Sequence, residues 1–368
     1  MSKISEEILA SVDIIDIINT YVPLKRAGAN FTACCPFHNE KTPSFMVSPS
    51  KQIFKCFGCG KGGNVITFVQ EIERIDFWDA AKELAKKANI DVSKYQKDPQ
   101  RESERQDEKE KIKRIHKITQ KFFVAQLQTS PEAKKYLKET RKLDDKALQD
   151  FGVGYAPDSH YALIQELKKK GFKEQDMIDA TLAKKSTSGG DAYSFFRNRI
   201  TFPIYDTMNN IIGFSARILN PDDKPKYLNS AEHKAFQKSQ VLYGLNRAKT
   251  AIREYDALCI VEGQMDVIGL AKIGYPIGVA TCGTALTAEH LKTIKRFTEN
   301  IFLLFDNDEA GQEASTRALS LAYQHDIFPK IIHLPETVKD IDDLANTTHG
   351  KKQFEEQRAA SQDGLMVT

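Results

Sequence analysis

Four residues in two close pairs, Cys35-Pro-Phe-His38 and Cys56-Phe-Gly-Cys59, could hold a metal ion. Each pair has the two-residue spacer with which a tight turn aims two ligands at one ion. Four protein ligands leave no open coordination position, so the expected site is a closed, structural one for a single Zn²⁺ that holds a fold and activates no water. Disulfides are excluded by the histidine, and the spacing favours zinc over unrelated core cysteines. Phe45-Met46-Val47 and Ile53-Phe54-Lys55 supply the strands of a hairpin that would join the pairs, which makes the expected local architecture a zinc ribbon.

A second constellation is acidic. Glu262 and Asp266 follow the apolar run Leu258–Val261, Asp306-Asn307-Asp308 follows Ile301–Phe305, and Asp340-Ile341-Asp342-Asp343 follows a run ending near Leu334. With Ile277–Ala280, these runs read as strands of a mainly parallel, helix-covered sheet, whose chemistry lies beyond the carboxyl ends of its strands. Carboxylates gathered on one rim repel one another, and hard divalent cations relieve that repulsion. Mg²⁺ takes oxygen ligands, keeps several waters and is shared with substrate phosphates, so an open acidic rim suits phosphoryl or nucleotidyl transfer. The plain alternative is that Asp308 caps a helix from Glu309 to Tyr323, Asp343 caps one from Leu344, and the rest are solvated loop acids. Clusters at successive strand ends weigh against it.

Arg197, Arg199, Arg217, Lys224, Lys226 and Lys238 accumulate on and after a hairpin read over Arg199–Tyr205 and Ile211–Ile218. They could hold phosphates, the arginines through their planar forks and the lysines as mobile point charges, although most exposed cations are simply solvated. On the ribbon, Phe45, Phe54 and Phe57 either stack on unpaired bases or fill a small core, with Lys41, Lys51, Lys55 and Lys61 as a basic rim.

The elements that must position these residues follow from periodicity. Ile4, Ile8, Val12, Ile15 and Ile18 predict an amphipathic helix before Pro23; Val65–Val69 and Phe77–Leu84 predict two more. From Lys97 to Lys111 the chain is almost entirely charged or amide-bearing, a linker or a solvated helix and a domain boundary. Residues 112 to 190 read as mostly helical and end in the turn signal Ser186-Thr187-Ser188-Gly189-Gly190. A chain of 368 residues can bury two or three domains without disulfides, and six cysteines with no regular pairing framework point to a reducing compartment. No secretory leader or membrane-spanning run is visible, so a soluble cytoplasmic protein is expected. The net charge of +3 is too small to indicate nucleic-acid binding by itself.

The order of motifs resembles that of bacterial replicative primases, the DnaG family, over almost the whole chain. Cys35-Pro-Phe-His-Asn-Glu-Lys-Thr-Pro-Ser-Phe45 and Cys56–Gly63 are similar to that family's zinc-binding domain. Arg199–Ile204, Ile212–Arg217, Pro225-Lys-Tyr-Leu-Asn-Ser230 and Leu242–Leu245 resemble its RNA polymerase domain; Val261-Glu-Gly-Gln-Met-Asp266 and Phe305–Gly311 resemble the embedded Toprim signature. A Toprim match alone admits topoisomerases and nucleases. No tyrosine nucleophile can be assigned for a topoisomerase, however, and no GxxxxGK[ST] loop is present for a primase-helicase.

The resemblance implies a multidomain α+β protein. Its parts would be a ribbon domain over 1–96, a charged linker over 97–111, the N-terminal part of an RNA polymerase core over 112–255, an α/β Toprim part over 256–343, and a short helical remainder over 344–368. It implies a DNA primase that makes short RNA primers on single-stranded DNA from ribonucleoside triphosphates. Glu262, Asp306 and Asp308 carry over as catalytic acids; these three with Asp340 and Asp342 hold Mg²⁺ or Mn²⁺, and Asp266 supports them. Arg197, Arg199, Arg217, Lys226, Asn229 and Lys238 carry over beside nucleotide and template. Gln264, Asn307, Ile341 and Asn64 depart from the pattern, standing where an aromatic, a glycine, a proline and an acid are common. The family continues into a domain that docks on the replicative helicase; with only 344–368 remaining, that docking domain is not expected here. The rival reading is a zinc-dependent single-stranded DNA-binding protein with an incomplete catalytic core.

Overall fold

The computed structural model describes residues 3–38, 40–73, 75–95, 99–186 and 190–363. They fall into two units that divide between Gln106 and Asp107.

In the first unit the isoleucine pattern builds two helices, α1 (Lys3–Ser11) and α2 (Ile14–Asn19), where one was expected. The break is chemical. The Asp13 carboxylate accepts the Ile15 amide at 2.7 Å as an N-cap, and Gln52 Oε1 takes the Ile14 amide at 2.9 Å. Strands β1 (Lys25–Ala27), β2 (Asn30–Ala33), β3 (Phe45–Ser48), β4 (Ile53–Cys56) and β5 (Gly62–Gly63) then pair antiparallel in chain order. Alternation along β3 and β4 turns Phe45, Val47, Phe54 and Cys56 inward. The Phe45 and Phe54 rings stack 5.3 Å apart and meet Phe68 of α3 (Val65–Glu73), and α4 (Phe77–Lys87) completes the core. Phe45 and Phe54 are therefore core residues; of the three ribbon phenylalanines only Phe57 is exposed, at 72%.

Helix α5 (Pro99–Thr129) crosses the division between the units. Lys97 and Asp98 of the expected linker lie outside the described residues; from Pro99 the segment is helix, exposed over 106–111 and buried first at Ile112. Short helices follow, α6 (Pro131–Lys135), α7 (Asp145–Asp150), α8 (Ala162–Lys169) and α9 (Glu174–Asp179), with a π-helical turn at Tyr136–Thr140. This helical stretch also holds strands the periodicity did not suggest: β6 (Gly154–Ala156) and β7 (Ala183–Lys184), the latter paired with β8 (Tyr193–Ser194). Thr187, Ser188 and Gly189 of the turn signal lie outside the described residues.

The hairpin of β9 (Arg199–Tyr205) and β10 (Ile211–Ile218) forms as expected. It widens into an antiparallel sheet, β11-β10-β9-β6, by adding β11 (Tyr227–Asn229). Every residue of β10 is buried, so both faces of this sheet are covered. Next come β12 (Leu242–Tyr243), α10 (Leu245–Tyr255), β13 (Leu258–Val261), α11 (Gln264–Lys272), β14 (Gly278–Thr281), α12 (Ala288–Lys295), β15 (Ile301–Leu303), α13 (Glu309–Tyr323), β16 (Lys330–Ile331), α14 (Ile341–Ala345), α15 (Gly350–Ala359) and β17 (Gln362–Asp363). The sheet order is β12-β14-β13-β15-β16-β17; the four central strands are parallel and the two edges antiparallel. Helix α11 packs on α14, and a Cβ on Gly269 would lie 3.0 Å from the Ile341 carbonyl oxygen, so that contact requires glycine. The final segment is helical only to Ala359 and then joins the sheet as β17; residues 364–368 lie outside the described residues. No helix among the described residues is long and apolar enough to cross a membrane.

Candidate functional site

The cysteine and histidine cluster grows out of the ribbon's turns. Cys35 follows β2 and Cys56 ends β4, and the amides of Phe37 and Cys59 each donate to the preceding cysteine sulfur at 3.4 Å. The ligand atoms of Cys35, His38, Cys56 and Cys59 all lie within 4.8 Å of one another. Cys35 Sγ is 3.8 Å from Cys59 Sγ, and Cys56 Sγ is 3.8 Å from His38 Nδ1. Metal bonds of roughly 2.3 Å to sulfur and 2.0–2.1 Å to nitrogen give tetrahedral edges of about 3.6–3.8 Å. Two of the edges stand at that spacing and all four atoms lie within 4.8 Å of one another, so the donor set fits a zinc-sized ion.

Glu40 supports the cluster, a role the sequence reading missed. Its Oε2 is 3.2 Å from His38 Nε2, its Oε1 accepts the amides of Cys35 at 2.7 Å and Ser44 at 3.0 Å, and Ser44 Oγ donates to Oε2 at 2.5 Å. Fixing the far nitrogen of a ligating histidine is how an outer carboxylate orients the ring. The Ser44 hydroxyl holds the Glu40 carboxyl below its usual range. Burial pushes the Cys35 thiol up to about 12. At Cys56 burial acts the same way but is outweighed by the Ser44 hydroxyl and the Cys59 amide, which bring that thiol down to about 6. The signal for Glu40 was available only as an acid two residues after a ligand.

On the second unit, strand ends and helix starts build the acidic rim. Asp266 lies in the first turn of α11 and accepts the Gly263 amide at 2.9 Å. Asp306 follows β15, and its amide donates to Glu262 Oε1 at 3.0 Å. Asp340 caps α14 by accepting the Asp343 amide at 2.8 Å, so the cap is Asp340 and not Asp343. One oxygen each from Asp266, Asp306 and Asp340 lies within 4.8 Å of the others. The close trio thus includes Asp266, which the motif resemblance placed in support.

Asp308 and Asp342 stand apart from that trio. Asp308 Oδ1 caps α13 by accepting the Gly311 amide at 3.0 Å, as the plain alternative anticipated, while Oδ2 is 3.2 Å from Lys339 Nζ. Asp342 is 3% exposed; its Oδ2 lies 3.4 Å from Arg141 Nη1, and its Oδ1 has no hydrogen-bond partner among the described residues. Burial, then the neighbouring Glu262 and Asp340, raises the Asp306 carboxyl to about 7. Burial and Asp340 raise Asp342 to about 7 as well, and Asp266 is pushed well above its ordinary range by the same causes. The Gly311 amide, with Lys339, holds Asp308 low. Oxygen ligands that resist ionising together fit a hard divalent cation.

The cations separate into those that meet the rim and those that do not. A cavity of about 830 Å³ is lined by Arg141, Arg217, Lys224 and Lys226 together with Tyr136. Tyr136, at the start of the π-helical turn, accepts from Arg141 Nε at 2.9 Å and from Arg217 Nε at 2.8 Å; Tyr227 accepts from Arg217 Nη1 at 2.6 Å. Arg141 and Tyr136 were not anticipated. Arg199 is buried, and its Nη1 donates to the Pro225 carbonyl at 2.8 Å, which braces it against backbone. Arg197 lies against His160, Lys238 receives the His290 ring through its carbonyl at 2.8 Å, and Asn229 abuts the turn at Gly283. None of these three lines the Arg217 cavity. A second cavity of about 710 Å³ opens beside Glu262, between the turn after β14 and α13.

Comparison with known proteins finds three family models in succession along the chain. Residues 1–100 match the model of the CHC2 zinc finger, 122–249 that of the DNA primase catalytic core, N-terminal domain, and 259–345 a Toprim-like model. The DNA primase of Pseudomonas aeruginosa is 41% identical over 317 residues, 85% of this chain and 47% of that one. The DNA primase of Clostridium acetobutylicum is 41% identical over 359 residues, 95% of this chain and 58% of that one. The chain therefore spans about half the length of the relatives it matches. Among solved structures, the zinc-binding and RNA polymerase domains of the Aquifex aeolicus primase superpose with a TM-score of 0.65 at 34% identity, covering 100% of this chain and 87% of that one. A DnaG catalytic domain bound to single-stranded DNA gives a TM-score of 0.62 at 33% identity, over 70% of this chain and 80% of that one.

Proposed function

The chain belongs to the DnaG family of bacterial DNA primases, and we propose that it is itself a DNA-directed RNA polymerase that makes short RNA primers on single-stranded DNA. The observation that carries this reading is the junction of two opposite charges in one unit. The Asp266, Asp306 and Asp340 oxygens form the close acidic trio, and Arg141, bound to Asp342, leads from that rim into the cavity of Arg217, Lys224 and Lys226.

The arginine-lined cavity takes the triphosphate of the incoming ribonucleotide, Arg141 and Arg217 being held in place by Tyr136 so that their forks are ordered before the phosphate arrives. A divalent ion, Mg²⁺ or Mn²⁺, bound by Asp266, Asp306 and Asp340 would supply Lewis-acid neutralisation of the phosphates. The primer 3′-oxygen forms a bond to the α-phosphorus, the bond from that phosphorus to the bridging oxygen of the β-phosphate breaks, and pyrophosphate leaves. Glu262, whose Oε1 is committed to the Asp306 amide, accepts the hydroxyl proton at Oε2. The ribbon over 1–96, holding one Zn²⁺ through Cys35, His38, Cys56 and Cys59, presents the template, with exposed Phe57 available to an unpaired base. Residues 112–255 and 256–343 act together as the polymerising core, in the cytoplasm.

The rival, a zinc-dependent DNA-binding protein with an incomplete catalytic core, leaves the acidic trio and the arginine cavity without a use. Labelled ribonucleotide incorporation on single-stranded DNA with Mg²⁺ separates the two. Short RNA from the native chain that disappears with Asp306→Asn supports the primase reading; template binding without any product supports the rival.

A further inference from the structure

Lys339 immediately precedes Asp340 and reaches back over the rim. Its Nζ lies 3.2 Å from Asp308 Oδ2. The placement is built into the backbone. The Asn307 amide donates to the Lys339 carbonyl at 3.1 Å, and Asn307 Nδ2 lies 3.3, 3.2 and 3.1 Å from the carbonyls of Leu334, Pro335 and Val338.

The sequence pattern offers Asp306 and Asp308 as a matched pair of ligands, but the two are treated differently. Asp306 points into the trio with Asp266 and Asp340. Asp308 has one oxygen capping α13 and the other facing an ammonium. The rim therefore sets an ammonium against Asp308 and gathers the oxygens of Asp266, Asp306 and Asp340 without one between them.

We propose that Lys339 is an internal counter-cation that competes with divalent ions for Asp308. The rim then binds one divalent ion readily at Asp266, Asp306 and Asp340, and a second at Asp308 only by displacing the ammonium. This rests on the reading of the rim as a divalent-ion site. Because Lys339 and Asp308 are both substantially exposed, their attraction is screened and the competition is modest.

The test is Mn²⁺ binding to the full chain, followed by the paramagnetic resonance of the free ion and by calorimetry, for the native protein, Lys339→Met and Lys339→Arg. The expected result is a tight site of similar affinity in all three and a weaker one that tightens about fivefold in Lys339→Met, with Lys339→Arg remaining close to native. Unchanged weak binding in Lys339→Met, or equal tightening in Lys339→Arg, overturns the inference while leaving the metal reading intact. No saturable Mn²⁺ binding by the native chain, with Asp306→Asn indistinguishable from it, overturns the metal reading itself and the inference with it.

Discussion

Arg141 Nη1 and Asp342 Oδ2 meet at 3.4 Å although 201 residues separate them in the chain. The pair ties the π-helical turn after α6 to the first turn of α14. It also joins the arginine cavity, which Arg141 lines, to the acidic segment that begins at Asp340.

Removing the arginine should take from Asp342, whose side chain is 4% exposed, the cation it meets at 3.4 Å and leave it only the charges of Lys272 and Arg217. Arg141→Ala is expected to lower the unfolding free energy by about 3 kcal/mol, read from urea midpoints, and Arg141→Ala/Asp342→Leu should regain part of that loss. A single variant with native stability would show that the pair holds nothing together.

Glu40→Gln should keep the ribbon folded at saturating zinc yet bind the metal roughly 10–100-fold more weakly, because the His38 ring loses the carboxylate that orients it. Competition against a chromogenic chelator measures this directly. An affinity equal to native would demote Glu40 to a surface acid.

Alanine is usually a better helix residue than glycine by about 1 kcal/mol, but at Gly311 the sign should reverse. A Cβ there would lie 2.2 Å from the Asp306 carbonyl oxygen. Gly311→Ala is expected to destabilise the protein by roughly 1–3 kcal/mol and to weaken Mn²⁺ binding by moving the Asp306 loop. Thermal unfolding and Mn²⁺ titration report the two effects separately.

Burial lowers the His116 imidazole to about 3 and that of His233, whose ring stacks on it at 5.5 Å, to about 4. Both stay neutral in the fold while the unfolded chain takes up protons below pH of about 6.5. Stability from His116 is thus full above that value and lost as pH falls towards about 3, at roughly 1.4 kcal/mol per pH unit. His116→Phe should therefore unfold with a flatter pH dependence than the native chain between pH of about 6.5 and 5. Parallel curves would contradict the buried neutral state.

What could be read without coordinates was whatever short-range spacing fixes. The Cys35–His38 and Cys56–Cys59 pairs need only a turn apiece, and the strand runs before Glu262 and Asp306 carry their acids with them. Side chains that are spent locally were harder. Arg199 looks like a phosphate ligand in a list of cations, but it lies in a strand covered on both faces and bonds to the Pro225 carbonyl. The break at Asp13 was missed because an N-cap interrupts a helix without interrupting its apolar period. Tyr136 and Arg141 were invisible because their partners, Arg217 and Asp342, lie far along the chain. Asp266 was undervalued because its place in the trio depends on the packing of α11 on α14, made possible by Gly269.

The Asn307 side chain addresses three main-chain carbonyls. It is therefore indifferent to which residues supply them. Leu334 is still held to its type by the core and Val338 packs against that core, but the bonds to Asn307 ask only for the spacing, and the insertion or loss of a single residue would slide Asp340 and Asp342 out of step with Asp306. Along this part of the rim, heredity has to preserve a count more strictly than a spelling.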